Sequence, residues 1–345
     1  MAEAEVEVKD AVAETDVETP KEPDPETVEA PEEPPPEEPT MRVIVLTGHG
    51  GYGKLKVENH PKPNSTEGHV VVKVHACGLN FADLMQRQGM YPHSPKLPYV
   101  PGFECSGVIE EVGEQVTGFE VGSRVCCIVL SGAWAEYVLV PFTSCFAMPE
   151  SMSFEEGAAF PVVYLTAYLM LFYCGNLGKR KSVLIHMAAG GVGTAATQIC
   201  KTVEGVTVFG TASASKHEAI SKNGVDHPID YRTEDYVEAI KKVTSSIDLV
   251  LDPLGGPDTK KCYDLLSPLG TLVIFGWASN VAESKSMFSG FKSVARAQQK
   301  MHDRINIGKI LLSPLKEPEP EPEPIKKRKK SGSKLHAEQT LCPIP

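Results

Sequence analysis

Between residues 41 and 150, apolar positions gather in short runs: RVIVL, HVVVKVHACG, CSGVIEEVG, RVCCIVL and AEYVLV, each closed by glycine, proline or polar residues. Runs of this length and spacing predict a compact β-rich domain of barrel type. Near residue 155 the texture changes. SVLIHM leads into a helix from Gly193, VTVFGTA into a helix around 216–223, and IDLVLD into a helix followed by GTLVIFG, with a short further strand near 227–229. That rhythm predicts βαβ units on a parallel sheet, so the expected class is α/β: a β-rich domain over 41–155 and a dinucleotide-type domain over 156–297.

Residues 157–177, GAAFPVVYLTAYLMLFYCGNL, carry no charge over twenty-one positions and meet the length criterion for a membrane span. They also contain Pro161, two glycines, three tyrosines and Asn176, and they run straight into the first βαβ strand. A buried interdomain helix is the expectation.

Charge changes the picture at the ends. The net charge is −11, but residues 1–40 hold fifteen Asp/Glu and two Lys, so the remainder sums to about +2. The acidic, proline-rich start cannot bury enough apolar surface to order itself and is expected to be a disordered tail over 1–40. A second tail over 316–345 passes from an acidic proline run to the basic cluster Lys326–Lys330. That cluster reads as a solvated tail, a nuclear-import signal or a contact for anionic membranes. The folded part carries no basic stripe for nucleic acid. Nine cysteines without a C-x-x-C pair point to reduced thiols, and the acidic N-terminus lacks the apolar core of a secretory signal.

Two glycine runs compete for phosphate. Gly48 to Lys54 spell G-x-x-x-x-G-K, but Leu55 stands where a P-loop needs Ser or Thr for Mg²⁺, and the run leads into an extended, proline-closed segment. ATP hydrolysis is the minor alternative; a turn between the first two strands is the expectation. The second run, Ala188-Ala189-Gly190-Gly191-Val192-Gly193, follows a strand and opens an apolar helix. There glycines let a backbone approach a pyrophosphate at a helix N-terminus. The next strand ends without the acid that would hold ribose hydroxyls and offers Ser213, Ser215 and Lys216, which suit a 2′-phosphate. The cofactor expected is NADPH. Cys77 and Cys105 are isolated, and His75 and His93 lack ligand spacing, so no zinc is expected.

The motifs ACGLNFADLMQRQGMY, PGFECSGVIEEVG, AAGGVG and IDYRTEDY together resemble the medium-chain dehydrogenase/reductase superfamily, quinone oxidoreductase branch. The resemblance implies a GroES-like first domain, to which 301–315 return, and a Rossmann-type second domain. It implies zinc-independent hydride transfer from NADPH to a quinone or activated enone. It places Gly190, Gly191, Val192 and Gly193 on the pyrophosphate, Lys216 and Tyr231 at the 2′-phosphate, where the residues themselves also offer Ser213, and Asn80, Asp83 and Tyr91 around the nicotinamide cleft. Asn80 and Tyr91 are the candidate catalytic groups, and Asp83 is expected to be structural. The resemblance further implies pairing of two copies through the sheet edge. A cytoplasmic protein peripheral on vesicle or mitochondrial outer membranes is also implied, which leaves a non-enzymatic adaptor as the alternative function. Two departures stand out: Arg180 replaces a usual glycine, and between Ala297 and Met301 about half a domain of the family pattern is absent. An incomplete nucleotide sheet with an uncovered edge is the consequence expected.

Overall fold

The computed structural model describes residues 38–280, 301 and 306–313. Strands β1 (Thr40–Leu46) and β2 (Leu55–Pro61) pair antiparallel, with Leu46 opposite Leu55. The first glycine run bends between them into one 3₁₀ turn, with the Thr47 N–H on the Lys54 carbonyl at 2.9 Å. A P-loop joins a buried parallel strand to a helix; this one joins two antiparallel strands, so the ATPase alternative loses its structural basis.

The β-rich region continues through β3 (His69–Leu79), α1 (Phe81–Gln88), β4 (Glu104–Val112), β5 (Arg124–Ile128), β6 (Tyr137–Pro141) and β7 (Cys145–Ala147). Strands β3, β4, β5 and β7 follow one another in an antiparallel sheet, and β6 pairs with the first half of β3. Val70, Val72, Val74, Leu79, Ile109, Val125 and Trp134 are buried in its core. Helix α1 starts at Asn80, whose backbone N–H donates to Asp83 Oδ2 at 2.6 Å, and ends where Gly89 turns left-handed at φ 74°.

The charge-free segment does not form one buried helix. It divides into α2 (Phe154–Ala159), α3 (Pro161–Tyr168) and a π-helical turn over Leu169–Cys174. Proline lacks an N–H and is accommodated at the first helical position, so Pro161 starts a new helix instead of continuing the old one. Helix α2 packs on β3 and β4, with Ser106 Oγ donating to the Phe154 carbonyl, so the β-rich domain runs a few residues beyond 155. Helix α3 packs on the nucleotide-type domain, yet Leu165, Tyr168, Leu169 and Tyr173 remain 43–76% exposed. Among the described residues, no helix is long and apolar enough to cross a membrane.

The second domain runs β8 (Ser182–Ile185), α4 (Gly191–Lys201), β9 (Thr207–Ala212), α5 (His217–Lys222), β10 (His227–Asp230), α6 (Tyr236–Lys241), β11 (Ile247–Asp252), α7 (Pro257–Asp264) and β12 (Leu266–Ile274). The five strands are parallel in the order β10-β9-β8-β11-β12. Side chains alternate across a strand, so Val183, Ile185, Leu249 and Leu251 meet α3 and α4, while Leu184 and Val250 meet α6 and α7. Both faces are covered, as a parallel sheet requires.

Strand order reverses between β8 and β11, and ligands of such sheets bind at the carboxyl ends of strands flanking that reversal. Beyond β12 no further strand is paired among the described residues. The shortened junction at 297–301 lies outside the described residues except for Met301, as do the tails over 1–37 and 314–345. The final strand, β13 (Ile310–Leu312), pairs antiparallel with the end of β3, Ile310 opposite Leu79.

Leu184 is fully buried between the sheet and its α6–α7 layer. Leu184→Ala is expected to lower unfolding free energy by about 2–5 kcal/mol, read from urea denaturation midpoints.

Candidate active site

The loop after β8 turns into α4 at the strand-order reversal, which is where the sequence places its second glycine run. Gly190 caps the helix and has no side chain to accept from the first-turn N–H groups. Those donors and the helix dipole suit an anion. A Cβ on Gly193 would stand 2.4 Å from the Met187 carbonyl oxygen, so only glycine allows the turn to close this tightly.

A cavity of about 370 Å³ opens from this turn and is lined by all nine site residues expected from sequence: Asn80, Tyr91, Gly190, Gly191, Val192, Gly193, Ser213, Lys216 and Tyr231. At one end Ser213 directly follows β9, and its hydroxyl lies 3.3 Å from that of Ser215. Lys216 Nζ donates to the Asn306 carbonyl at 2.6 Å, so the return segment reaches the cation that the sequence assigns to a phosphate. Tyr231 is 41% exposed beside it. This lining fits a phosphorylated dinucleotide: uncapped donors at the helix start, hydroxyls and an ammonium at the far end, and no carboxylate closing β9.

At the other end the walls come from the β-rich domain. Tyr91 sets its ring edge on Phe103 at 5.5 Å between centroids. Asn80, 7% exposed, donates from Nδ2 to Glu104 Oε1 at 2.9 Å and accepts at Oδ1 from Lys309 Nζ. Glu104 is fully buried; it takes the Lys309 ammonium at 2.5 Å and the Val162 N–H at 2.7 Å. Val162 is the second residue of α3, so the carboxylate also completes that helix's start. Sequence reading missed both Glu104 and Lys309. The available signal was an acid inside the apolar strand of PGFECSG and a lysine opening the final strand of INIGKILL.

Burial displaces the protonation of Asp83 and His186 in opposite directions. Burial pushes the Asp83 carboxyl up to about 7, against the opposing pull of the Asn80 N–H and of Lys309. Burial also pulls His186 down to about 4. That ring lies 3.1 Å from Thr211 Oγ1 and 3.2 Å from Cys262 Sγ, held as a neutral packing group beneath the cavity. Among the described residues, no group of three His, Cys, Asp or Glu is placed to hold a metal ion.

Comparison with known proteins agrees with this arrangement. Residues 66–150 match the alcohol dehydrogenase GroES-like domain, and residues 191–301 match the family described as zinc-binding dehydrogenase. Human quinone oxidoreductase is 35% identical over 241 residues, an alignment covering 68% of this chain and 73% of that protein. The chain belongs to the medium-chain dehydrogenase/reductase superfamily, with quinone oxidoreductase-like relatives.

Within it, the synaptic vesicle membrane protein VAT-1 homolog of Danio rerio is 58% identical over 257 residues, covering 74% of this chain and 53% of that protein. The Homo sapiens VAT-1 homolog is 55% identical over 242 residues, covering 69% and 62%. The chain thus spans between half and two-thirds of the length of these relatives. The crystal structure of the human VAT-1 homolog-like protein superposes with a TM-score of 0.71 at 41% identity, covering 81% of this chain and 99% of that one. Escherichia coli quinone oxidoreductase complexed with NADPH gives 0.69 at 26%, covering 79% and 99%.

The Asp83 carboxyl, raised in the folded state, makes stability fall as pH rises from about 4 to about 7, by at most ~1.4 kcal/mol per pH unit. In that window the folded chain holds a proton that the unfolded chain has lost. Asp83→Asn keeps an uncharged acceptor for the Asn80 N–H and is expected to flatten this decline. Urea midpoints at pH 5 and pH 8, compared between the two proteins, measure it.

Proposed function

We propose that this chain is an NADPH-dependent, zinc-independent reductase that delivers a hydride to a quinone or an activated enone. The observation that carries the reading is the single cavity joining a dinucleotide-type turn, a 2′-phosphate-type end and a polar cleft from the other domain. NADPH, when bound, supplies the hydride. The protein's part is placement and electrostatics. The N–H groups opening α4 would hold the pyrophosphate, while Ser213 and Lys216, with Tyr231 beside them, would hold the 2′-phosphate. Lys216 then exchanges the Asn306 carbonyl for phosphate oxygen. Asn80 and Tyr91 face the cleft as the groups that orient the acceptor and donate hydrogen bonds to its oxygen as negative charge gathers there.

A second reading, peripheral attachment to membranes as an adaptor, is supported by the exposed apolar face of α3 and the π-turn. The relatives' designation as synaptic vesicle membrane proteins points the same way. Flotation with phosphatidylserine vesicles, with and without residues 316–345, tests it; sedimentation away from vesicles in both cases rejects it.

For the reductase reading, nicotinamide fluorescence during titration with NADPH and then NADH is the direct measurement, followed by loss of absorbance when a simple quinone is added. Lys216→Ala is expected to weaken NADPH at least about tenfold and leave NADH nearly unchanged, the loss of one charge-assisted phosphate contact. Equal weakening of both would remove the 2′-phosphate assignment. Absence of both binding and turnover in the parent chain would remove the enzyme reading.

A further inference from the structure

Glu104 gathers donors from three separate parts of the chain: Asn80 before α1, Val162 at the start of α3, and Lys309 ahead of β13. Oε1 accepts from Asn80 and Lys309 and Oε2 from Val162, and the site is closed on another side by Gly78, where a Cβ would stand 2.1 Å from Glu104 Oε1. Lys309 is itself held from the nucleotide side, because the Gly308 N–H donates to the Ala189 carbonyl at 2.9 Å. The lysine therefore reaches Glu104 only when the return segment lies against the glycine turn.

This triangle fixes which way the Asn80 amide faces. An ammonium only donates and a carboxylate only accepts. The amide must set its oxygen toward Lys309 and its nitrogen toward Glu104, as the hydrogen bonds show. Turned over, it would oppose N–H to ammonium and oxygen to carboxylate. In the observed orientation one Nδ2 hydrogen goes to Glu104; an amide nitrogen carries a second, and Asn80 lines the cavity.

We infer that Lys309 is a positioning residue for the reductive step, acting through Glu104 and Asn80 so that the cleft presents an N–H donor to the acceptor's oxygen. The inference rests on the reductase reading. When a hydride adds to the β-carbon of an enone system, the π pair moves onto the carbonyl oxygen and a proton from solvent completes the product, NADPH being oxidised to NADP⁺. A fixed N–H at that oxygen stabilises the charge as it forms, whereas an amide oxygen there would oppose it. Lys309 lines the same cavity with its stem against Gly191, but its ammonium is directed at Asn80 and Glu104, and in this scheme it acts on the acceptor only through them.

The test uses the full chain and three variants: Lys309→Met, Lys309→Met/Glu104→Gln, and Asn80→Asp as a spectral reference. Lys309→Met is expected to lower kcat at least about tenfold while the NADPH dissociation constant stays within about twofold, the split expected when an interaction made only in the transition state is lost. The double variant removes both charges and leaves an amide oxygen to accept from Asn80, so it is expected to recover part of kcat. A second readout does not need turnover. The Asn80 side-chain amide signal, identified in a ¹H–¹⁵N spectrum by its loss in Asn80→Asp, is expected to be protected from exchange in the parent and to shift and lose protection in Lys309→Met. An unchanged Asn80 signal in Lys309→Met overturns the inference. So does a fall in kcat matched by an equal loss of NADPH affinity, or a double variant no better than the single one. If the parent reduces no quinone or enone, the reductase reading falls, and the amide signal still decides whether Lys309 orients Asn80.

Discussion

A buried carboxylate must be satisfied, and the way Glu104 is satisfied organises the molecule. Stripped of donors, it would sit in an apolar sheet at a cost of several kcal/mol. Its three partners come from the β-rich domain, the interdomain helix and the return segment. Each is a wall of the same cavity. Requiring all three at once sets the distance between the domains and the direction of the cleft, so the energetic demand of one side chain becomes a geometric constraint on the site.

The nucleotide end depends on a different constraint. A parallel sheet whose strand order reverses leaves a gap at the carboxyl ends of β8 and β11, and α4 points its uncapped start into that gap. Backbone donors are thereby offered at the cavity wall, with the Lys309 side chain packed against Gly191 beside them, which suits a pyrophosphate bound through N–H groups. The return segment crosses this same point, bridging Gly190 to Gly308 and engaging Lys216 through Asn306. Cofactor end and acceptor end are thus mechanically joined by a few residues, 306–309.

Much of this was legible in the residues. The β-rich first half, the βαβ second half, the rejected P-loop and the second glycine turn follow from period and glycine placement, because those signals are local; Asn80, Tyr91 and Tyr231 were singled out by the resemblance of their motifs to the family. The charge-free segment was misread as one buried helix. Its hydrophobicity was visible, and so was Pro161, which lacks an N–H and favours a first helical position; what the sequence did not show is that the piece before it packs on the β-sheet and the piece after it on the nucleotide-type domain. Glu104 and Lys309 were passed over for a similar reason. An acid in an apolar strand and a lysine some 205 residues later have no sequence relation that marks them as partners.

By itself, then, the sequence determined the two-domain α/β class, a glycine turn between a strand and a helix, and the polar positions that its motifs share with the family, since each is specified within a few consecutive positions. Only the tertiary structure decided that these belong to one cavity and that Glu104, Lys309 and Asn80 form one network. It also decided that the return segment lies against the Gly190 turn. Long-range pairing of buried charge is set by what the folded chain brings within about 3 Å, and no spacing along the chain encodes that distance.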